Sequence, residues 1–191
     1  MTIVTERHAI VGISDHAGWA VFVTVGSDGA VLDRRSVELI EEGVPKMPHH
    51  HDAQGLPLPQ AAALVAQVRE SAQRQARQRF DELAGAVPAP IVGVALRVCQ
   101  PLPETLAERL SNYRAQNVAD WVMYRQVLAE SAVAKGWLVH WYDPKLVFAE
   151  AARALGRKSI DDLLETTGAA LGPPWQKDHK LAMAAAIASP H

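Results

Sequence analysis

The side chains able to do chemistry in this chain stand in a few short runs. His49-His50-His51-Asp52 sets three imidazoles beside a carboxylate. Imidazole is the commonest transition-metal ligand, but consecutive histidines in a proline-rich stretch more often take up metal adventitiously. Asp178-His179 follows Gly172-Pro173-Pro174 near the end of the chain, where an acid in the first turn of a helix is also favoured by the helix dipole alone. Asp15 lies in Ser14-Asp15-His16-Ala17-Gly18, which reads equally well as a polar turn. His16 and His140 each offer a base, although His140, inside a β-rich run, reads as a satisfied core residue. Arg97 closes an apolar run. A guanidinium there either pairs with an acid, Asp15 or Asp178 being the candidates, or holds a phosphate directly. Arg69, Arg74, Arg77 and Arg79 could touch phosphates, but Gln73, Gln75 and Gln78 between them fit a solvated helix face. Trp137, Trp141 and Trp175 offer stacking surfaces for bases, or core and subunit-interface bulk. The sequence has no phosphate-binding glycine loop, dinucleotide fingerprint or nucleophile elbow, so no dinucleotide cofactor is expected.

The elements that must position these residues are legible from hydropathy. Short β-rich runs at 9–13, 18–25 and 30–40, with Asp28-Gly29 as hairpin chemistry, predict a three-stranded antiparallel meander. Residues 43–59 carry Pro45, Pro48, Pro57 and Pro59 and are expected to form a surface loop. A helix is predicted over 59–84, with Leu64, Val65, Val68, Ala72, Ala76, Phe80 and Leu83 as its apolar stripe. A strand at 91–98 reads as buried on both faces. A helical region at 103–135, broken near 112–117, leads to a fifth strand at 137–142. Helices are then predicted at 145–155, at 159–167 with Ser159 as N-cap, and at 175–189. A meander followed by strand–helix alternation is an α/β arrangement: a five-stranded mixed sheet, three antiparallel strands then two parallel, with helices on both faces.

With 191 residues, 49% hydrophobic and 21% charged, the chain suits one folded domain over 1–191 and is not wholesale disordered. A net charge of −2 excludes a histone-like binder but not a local basic groove. A single cysteine, Cys99, excludes an internal disulfide and a Cys-based zinc site. With no signal-peptide pattern and no apolar run near the roughly 20 residues of a membrane span, a soluble cytoplasmic protein is expected.

Three segments carry a resemblance. Gly12-Ile13-Ser14-Asp15 and Gly18-Trp19-Ala20-Val21 come first; Val139-His140-Trp141-Tyr142-Asp143-Pro144 with Leu146-Val147 second; Asp178-His179-Lys180-Leu181-Ala182-Met183-Ala184-Ala185 last. In this order they resemble the RuvC-type Holliday-junction resolvase branch of the ribonuclease H-like superfamily. The resemblance spans nearly the whole chain and implies a ribonuclease H-like fold, a homodimer and a nucleic-acid partner. It also implies paired Mg²⁺ or Mn²⁺ ions that activate water and stabilise the leaving oxygen of a phosphodiester.

Carried over, the catalytic set becomes Asp15, Asp143, Asp178 and His179, with Asp15, Asp178 and His179 as metal ligands and Arg97, Lys177 and Lys180 on the nucleic acid. Two departures stand out. The first-strand aspartate of the family falls at Ser14, with the carboxylate one residue later at Asp15. The fourth-strand glutamate has no counterpart, with Leu96, Arg97 and Val98 in its place. Strand side chains alternate, so a one-residue shift reverses direction unless a bulge corrects it. Two functions are therefore expected in competition: a metal-dependent endonuclease on structured DNA or RNA, and a ribonuclease H-like binding or assembly module that has lost the metal site.

Overall fold

A computed structural model describes residues 7–190; the expected span of 1–191 runs past them at both ends. Five strands, β1 (Ala9–His16), β2 (Trp19–Gly26), β3 (Val31–Glu38), β4 (Ile91–Arg97) and β5 (Leu138–Tyr142), form one sheet in the order β3-β2-β1-β4-β5. β1–β2 and β2–β3 are antiparallel, while β1–β4 and β4–β5 are parallel, which is the mixed sheet expected from the sequence.

Alternation along β1 divides the core. Ala9, Val11 and Ile13 face α1 (Leu58–Ala86) and α3 (Tyr113–Val133), joined by Phe22, Val94 and Leu96. Ile10 faces the other side, toward α4 (Val147–Ala154), α5 (Asp161–Leu171) and α6 (Lys177–Ala188), with Val21, Val23 and Ala95. The stripe of α1 is buried at Val68, Ala72, Ala76, Phe80 and Leu83, as its spacing requires. Three of its four arginines make ion pairs outside the core: Arg69 with Glu130 at 2.5 Å, Arg74 with Glu41 at 2.6 Å, Arg79 with Glu82 at 2.9 Å, while Arg77 is exposed.

Three local expectations change. β1 continues through Ser14, Asp15 and His16, all paired to β2 without interruption, so the turn is at Ala17-Gly18. The proline-rich loop is not featureless: Pro48–Asp52 forms a π-helical turn with His49 buried, because α3 supplies a partner for its free N–H groups. α5 begins after Ile160; Ser159 still accepts the Asp161 N–H at 3.1 Å, one residue before the cap position. The break in the 103–135 region falls at Asn112, whose side chain accepts from Ala115 N–H and starts α3, while Thr105 and Glu108 form a capping box on α2 (Leu106–Ser111).

α6 lies close against β1 because both surfaces are small. Its buried face carries Ala182, Ala185 and Ala186, and β1 presents Gly12; a Cβ at Gly12 would overlap the Ala182 carbonyl oxygen. The start of α6 is set by Arg34 of β3, whose guanidinium donates to the carbonyls of Gly172 (2.8 Å), Leu171 (3.1 Å) and Pro173 (3.3 Å). Gly12→Ala is therefore expected to push α6 off the sheet and destabilise the fold by about 1–3 kcal/mol; urea denaturation read by circular dichroism checks this.

Candidate functional site

The carboxyl end of the sheet is where β1, β4 and β5 stop and α6 begins. On its α6 side, Ser14 Oγ donates to Asp178 Oδ1 at 2.7 Å, and His16 Nε2 lies 3.0 Å from the same oxygen. The His16 ring is stacked on Trp19, with centroids 4.1 Å apart and planes 5° apart, so its position is fixed from behind. Arg97 of β4 adds positive charge beside Asp178 and Tyr142. The Arg97 Nε is buried with no hydrogen-bond partner among the described residues. Tyr142 Oη reaches across β4 to donate to the Ile13 carbonyl at 2.9 Å; burial, the largest influence, pushes this phenol up to about 12. Burial alone would raise the Asp178 carboxyl, but the bonds from Ser14 and His16 and the nearby Arg97 charge outweigh it and hold Asp178 below the ordinary carboxylate value.

Asp15 points the other way. It is fully buried on the α3 side, where Arg125 Nε donates to its Oδ2 at 2.7 Å and Arg125 Nη1 reaches the Val98 carbonyl at 3.2 Å. No bulge interrupts the β1–β2 register here, so nothing turns Asp15 back toward α6. The acid expected opposite Arg97 is thus held by a different arginine, one helix away. Arg125 lies in a largely apolar, buried stretch of α3, between Val122-Met123-Tyr124 and Val127-Leu128, and nothing in its local spacing pairs it with a residue 110 positions earlier.

Of the remaining candidates, Asp143 follows the Arg97–Tyr142 pair and so lies at this sheet edge, as expected. Asp143 accepts the Lys145 N–H at 2.8 Å and shapes the turn into α4. His179 is buried and accepts the Gln176 N–H on Nδ1 at 3.2 Å, beside the Trp175 ring; burial, then the Arg34 charge, lowers its pKa, and Asp178 only partly opposes this. Asp178 and His179 are successive on a helix, so they leave it in different directions. Lys177 is exposed and Lys180 half-buried on the first turn of α6. Of the tryptophans, Trp137 packs on Phe80, Trp175 donates to the Leu164 carbonyl at 2.8 Å, and Trp141 is exposed.

Comparison of the fold with solved structures finds T. thermophilus RuvC in complex with a Holliday junction substrate. That protein is 11% identical, with a TM-score of 0.53, the match covering 95% of this chain and 91% of that one. A second Thermus thermophilus RuvC structure matches at 10% identity and a TM-score of 0.51, over 94% of this chain and 91% of that one. This is a ribonuclease H-like fold. No family model and no curated protein matches the sequence.

The metal pair implied by the resemblance can be tested against this ribonuclease H-like corner. Mg²⁺ and Mn²⁺ need several converging oxygen ligands. Asp178 is already bonded to Ser14 and His16 with the Arg97 charge beside it, and Asp143 accepts the Lys145 N–H. The second acid, Asp15, is behind the sheet. These residues do not fit a two-metal site. Among the described residues no group of three or more His, Cys, Asp or Glu is placed to hold a metal ion. What the corner holds is the Arg97 charge beside an Asp178 already engaged by Ser14 and His16.

Two outcomes follow. Ser14→Ala removes one of the bonds that lower the Asp178 pKa, so the carboxyl titration seen by NMR should move upward. A depressed folded-state pKa stabilises above the unfolded value and is lost as pH falls through the folded one, so the wild type should lose this contribution at lower pH than S14A. Arg125→Met leaves Asp15 buried and unpaired and should cost about 3–5 kcal/mol in urea denaturation, whereas adding Asp15→Leu should recover most of it.

Proposed function

We propose that this chain is a divergent RuvC-like module that binds structured DNA or RNA through the phosphate backbone and does not cut it by two-metal chemistry. The observation that carries this reading is the division of the two acids: Asp15 neutralised by Arg125 on one face of β1, and Asp178 tied to Ser14 beside Arg97 on the other. A phosphodiester needs positive donors, and the ones assigned to it are Arg97 at the end of β4 and Lys177 and Lys180 on the first turn of α6. Asp178 holds His16 and Ser14 in place rather than a metal. The structural likeness to a RuvC solved with a Holliday junction supports a nucleic-acid partner. With a net charge of only −2 and few free cations on one copy, a homodimer that joins two such corners is the form in which the groove becomes continuous.

The test is fluorescence anisotropy on a four-way junction, a duplex and a single strand, in EDTA and again in Mg²⁺ or Mn²⁺, with gels run for cleavage. Binding in EDTA that is unchanged by metal, without products, is the expected result. Affinity should fall linearly with salt on logarithmic axes, and Lys177→Gln should reduce that slope by about one. Arg97→Gln should weaken all substrates alike. Metal-dependent products that vanish in Asp178→Ala would establish the endonuclease reading instead, and no binding in EDTA would overturn the proposal.

A further inference from the structure

The two edges of the sheet are built differently. β3, at one edge, carries Asp33, Arg34, Arg35 and Glu38, and Arg34 is engaged with the segment that leads into α6. Charges of this kind keep an edge strand from pairing with another chain. β5, at the other edge, reads Leu-Val-His-Trp-Tyr, without Lys, Arg, Asp, Glu or Pro, and its register with β4 runs without a bulge. None of the usual guards stands on it.

Apolar exposure gathers at the same edge. Leu138 is 63% exposed and Trp141 47%, and they lie on opposite faces of the strand. Val133 before β5 and Leu146 after it are exposed too, as is Val98, whose N–H donates to the Tyr142 carbonyl at 3.0 Å. These are five of the ten large apolar residues exposed among the described ones. Apolar surface concentrated in one place marks an interaction site. The backbone agrees. Tyr142 turns its carbonyl to β4, so by alternation Val139 and Trp141 turn their N–H and C=O groups outward, where the sheet ends and no backbone partner stands among the described residues.

We infer that β5 pairs antiparallel with β5 of a second copy of this chain, joining two five-stranded sheets into one. Self-pairing selects the occupant over an unrelated strand. A two-fold axis normal to the sheet sets residues of the same face opposite one another. With Val139 opposite the partner's Val139, Trp141 falls opposite the partner's Trp137 on the α1–α3 face, an aromatic cross-strand pair, and Leu138 opposite the partner's His140 on the other face. Val139 then exchanges both backbone bonds with its counterpart. Trp141 N–H donates to the carbonyl of the partner's Trp137, a residue whose own N–H is already given to Ala132 at 3.0 Å. Charge favours this register. Lys135, paired with Asp81 in its own chain, faces the partner's Asp143, whereas centring on His140 would set Lys135 against the partner's Lys145. Antiparallel pairing also lays the flank before one β5 against the flank after the other, so the exposed Val133 meets the partner's Leu146. The axis leaves both α6 corners on one side of the joined sheet. The pairing thus supplies the homodimer of the proposed nucleic-acid function, but it does not rest on that function.

The test is sedimentation equilibrium of the full chain from micromolar to submillimolar concentration, without nucleic acid. The edge is short, so the mass should rise from one chain toward two across this range. Trp141→Lys and Leu138→Lys, at exposed positions and checked for folding by circular dichroism, should each raise the dissociation constant at least about tenfold. In a Cys99→Ser background, Val139→Cys should form an intermolecular disulfide with oxidised glutathione. Opposed hydrogen-bonded residues lie about 5.5 Å apart between Cα atoms, a span that a disulfide accepts. Leu146→Cys in the same background should form none. A monomer at every concentration overturns the proposal and leaves the edge to a strand of another protein. A dimer that survives either lysine variant, or that gives no disulfide at 139, lies elsewhere and overturns it too. Anisotropy is scored apart: a monomer that binds strands removes this pairing alone, and a dimer that binds none removes the nucleic-acid function alone.

Discussion

In a strand buried on both faces, neighbouring side chains look in opposite directions, and β1 puts Ser14, Asp15 and His16 in that position within three residues. Ser14 and His16 meet α6; Asp15 meets α3. A carboxylate in such a place must be paired, because an isolated buried charge is too costly to keep. Arg125 supplies the pair, and in doing so ties α3 to β1 and to the Val98 carbonyl just beyond β4. It joins the buried Met123, Tyr124, Val127 and Leu128 in holding α3 against the sheet, and α3 in turn carries Asp120 and the π-helical turn that Asp120 holds.

The opposite face follows from a different constraint, close approach. Gly12 and an alanine-rich helix allow α6 to lie against β1, and Arg34 pins the segment that leads into it. With the backbone that near, Asp178 reaches Ser14 and His16 directly. The same scaffold that could gather carboxylates around ions instead gathers one acid, a hydroxyl, an imidazole and a guanidinium. The acid at this corner is balanced within the protein by the hydroxyl, the imidazole and the nearby guanidinium.

Much of this was legible in the sequence. Strand and helix positions follow from apolar periodicity and from Gly and Pro punctuation, and the mixed sheet follows from their order. The reversal of Asp15 was readable too, because period-two alternation is a local property. Other features were not. The turn expected at Ser14–His16 is strand, since pairing with β2 extends β1 beyond its apolar run. The proline-rich stretch acquires regular structure only because Asp120, some seventy residues away, accepts its free N–H groups. His49, one of three consecutive histidines, is singled out for burial by that contact and by no feature of its own run.

The amino-acid sequence by itself determined the elements, their order, the two faces of β1 and the lack of an acid at the end of β4, because each depends on residue type and on spacing within a few residues. Tertiary structure alone decided which group each buried or half-buried acid meets: Asp15 with Arg125 rather than Arg97, Asp178 with Ser14 and His16, Asp120 with His49. Those partners lie between 71 and 164 positions apart. Local spacing carries no information about such pairs, and the chain acquires them only when the helices settle on the sheet.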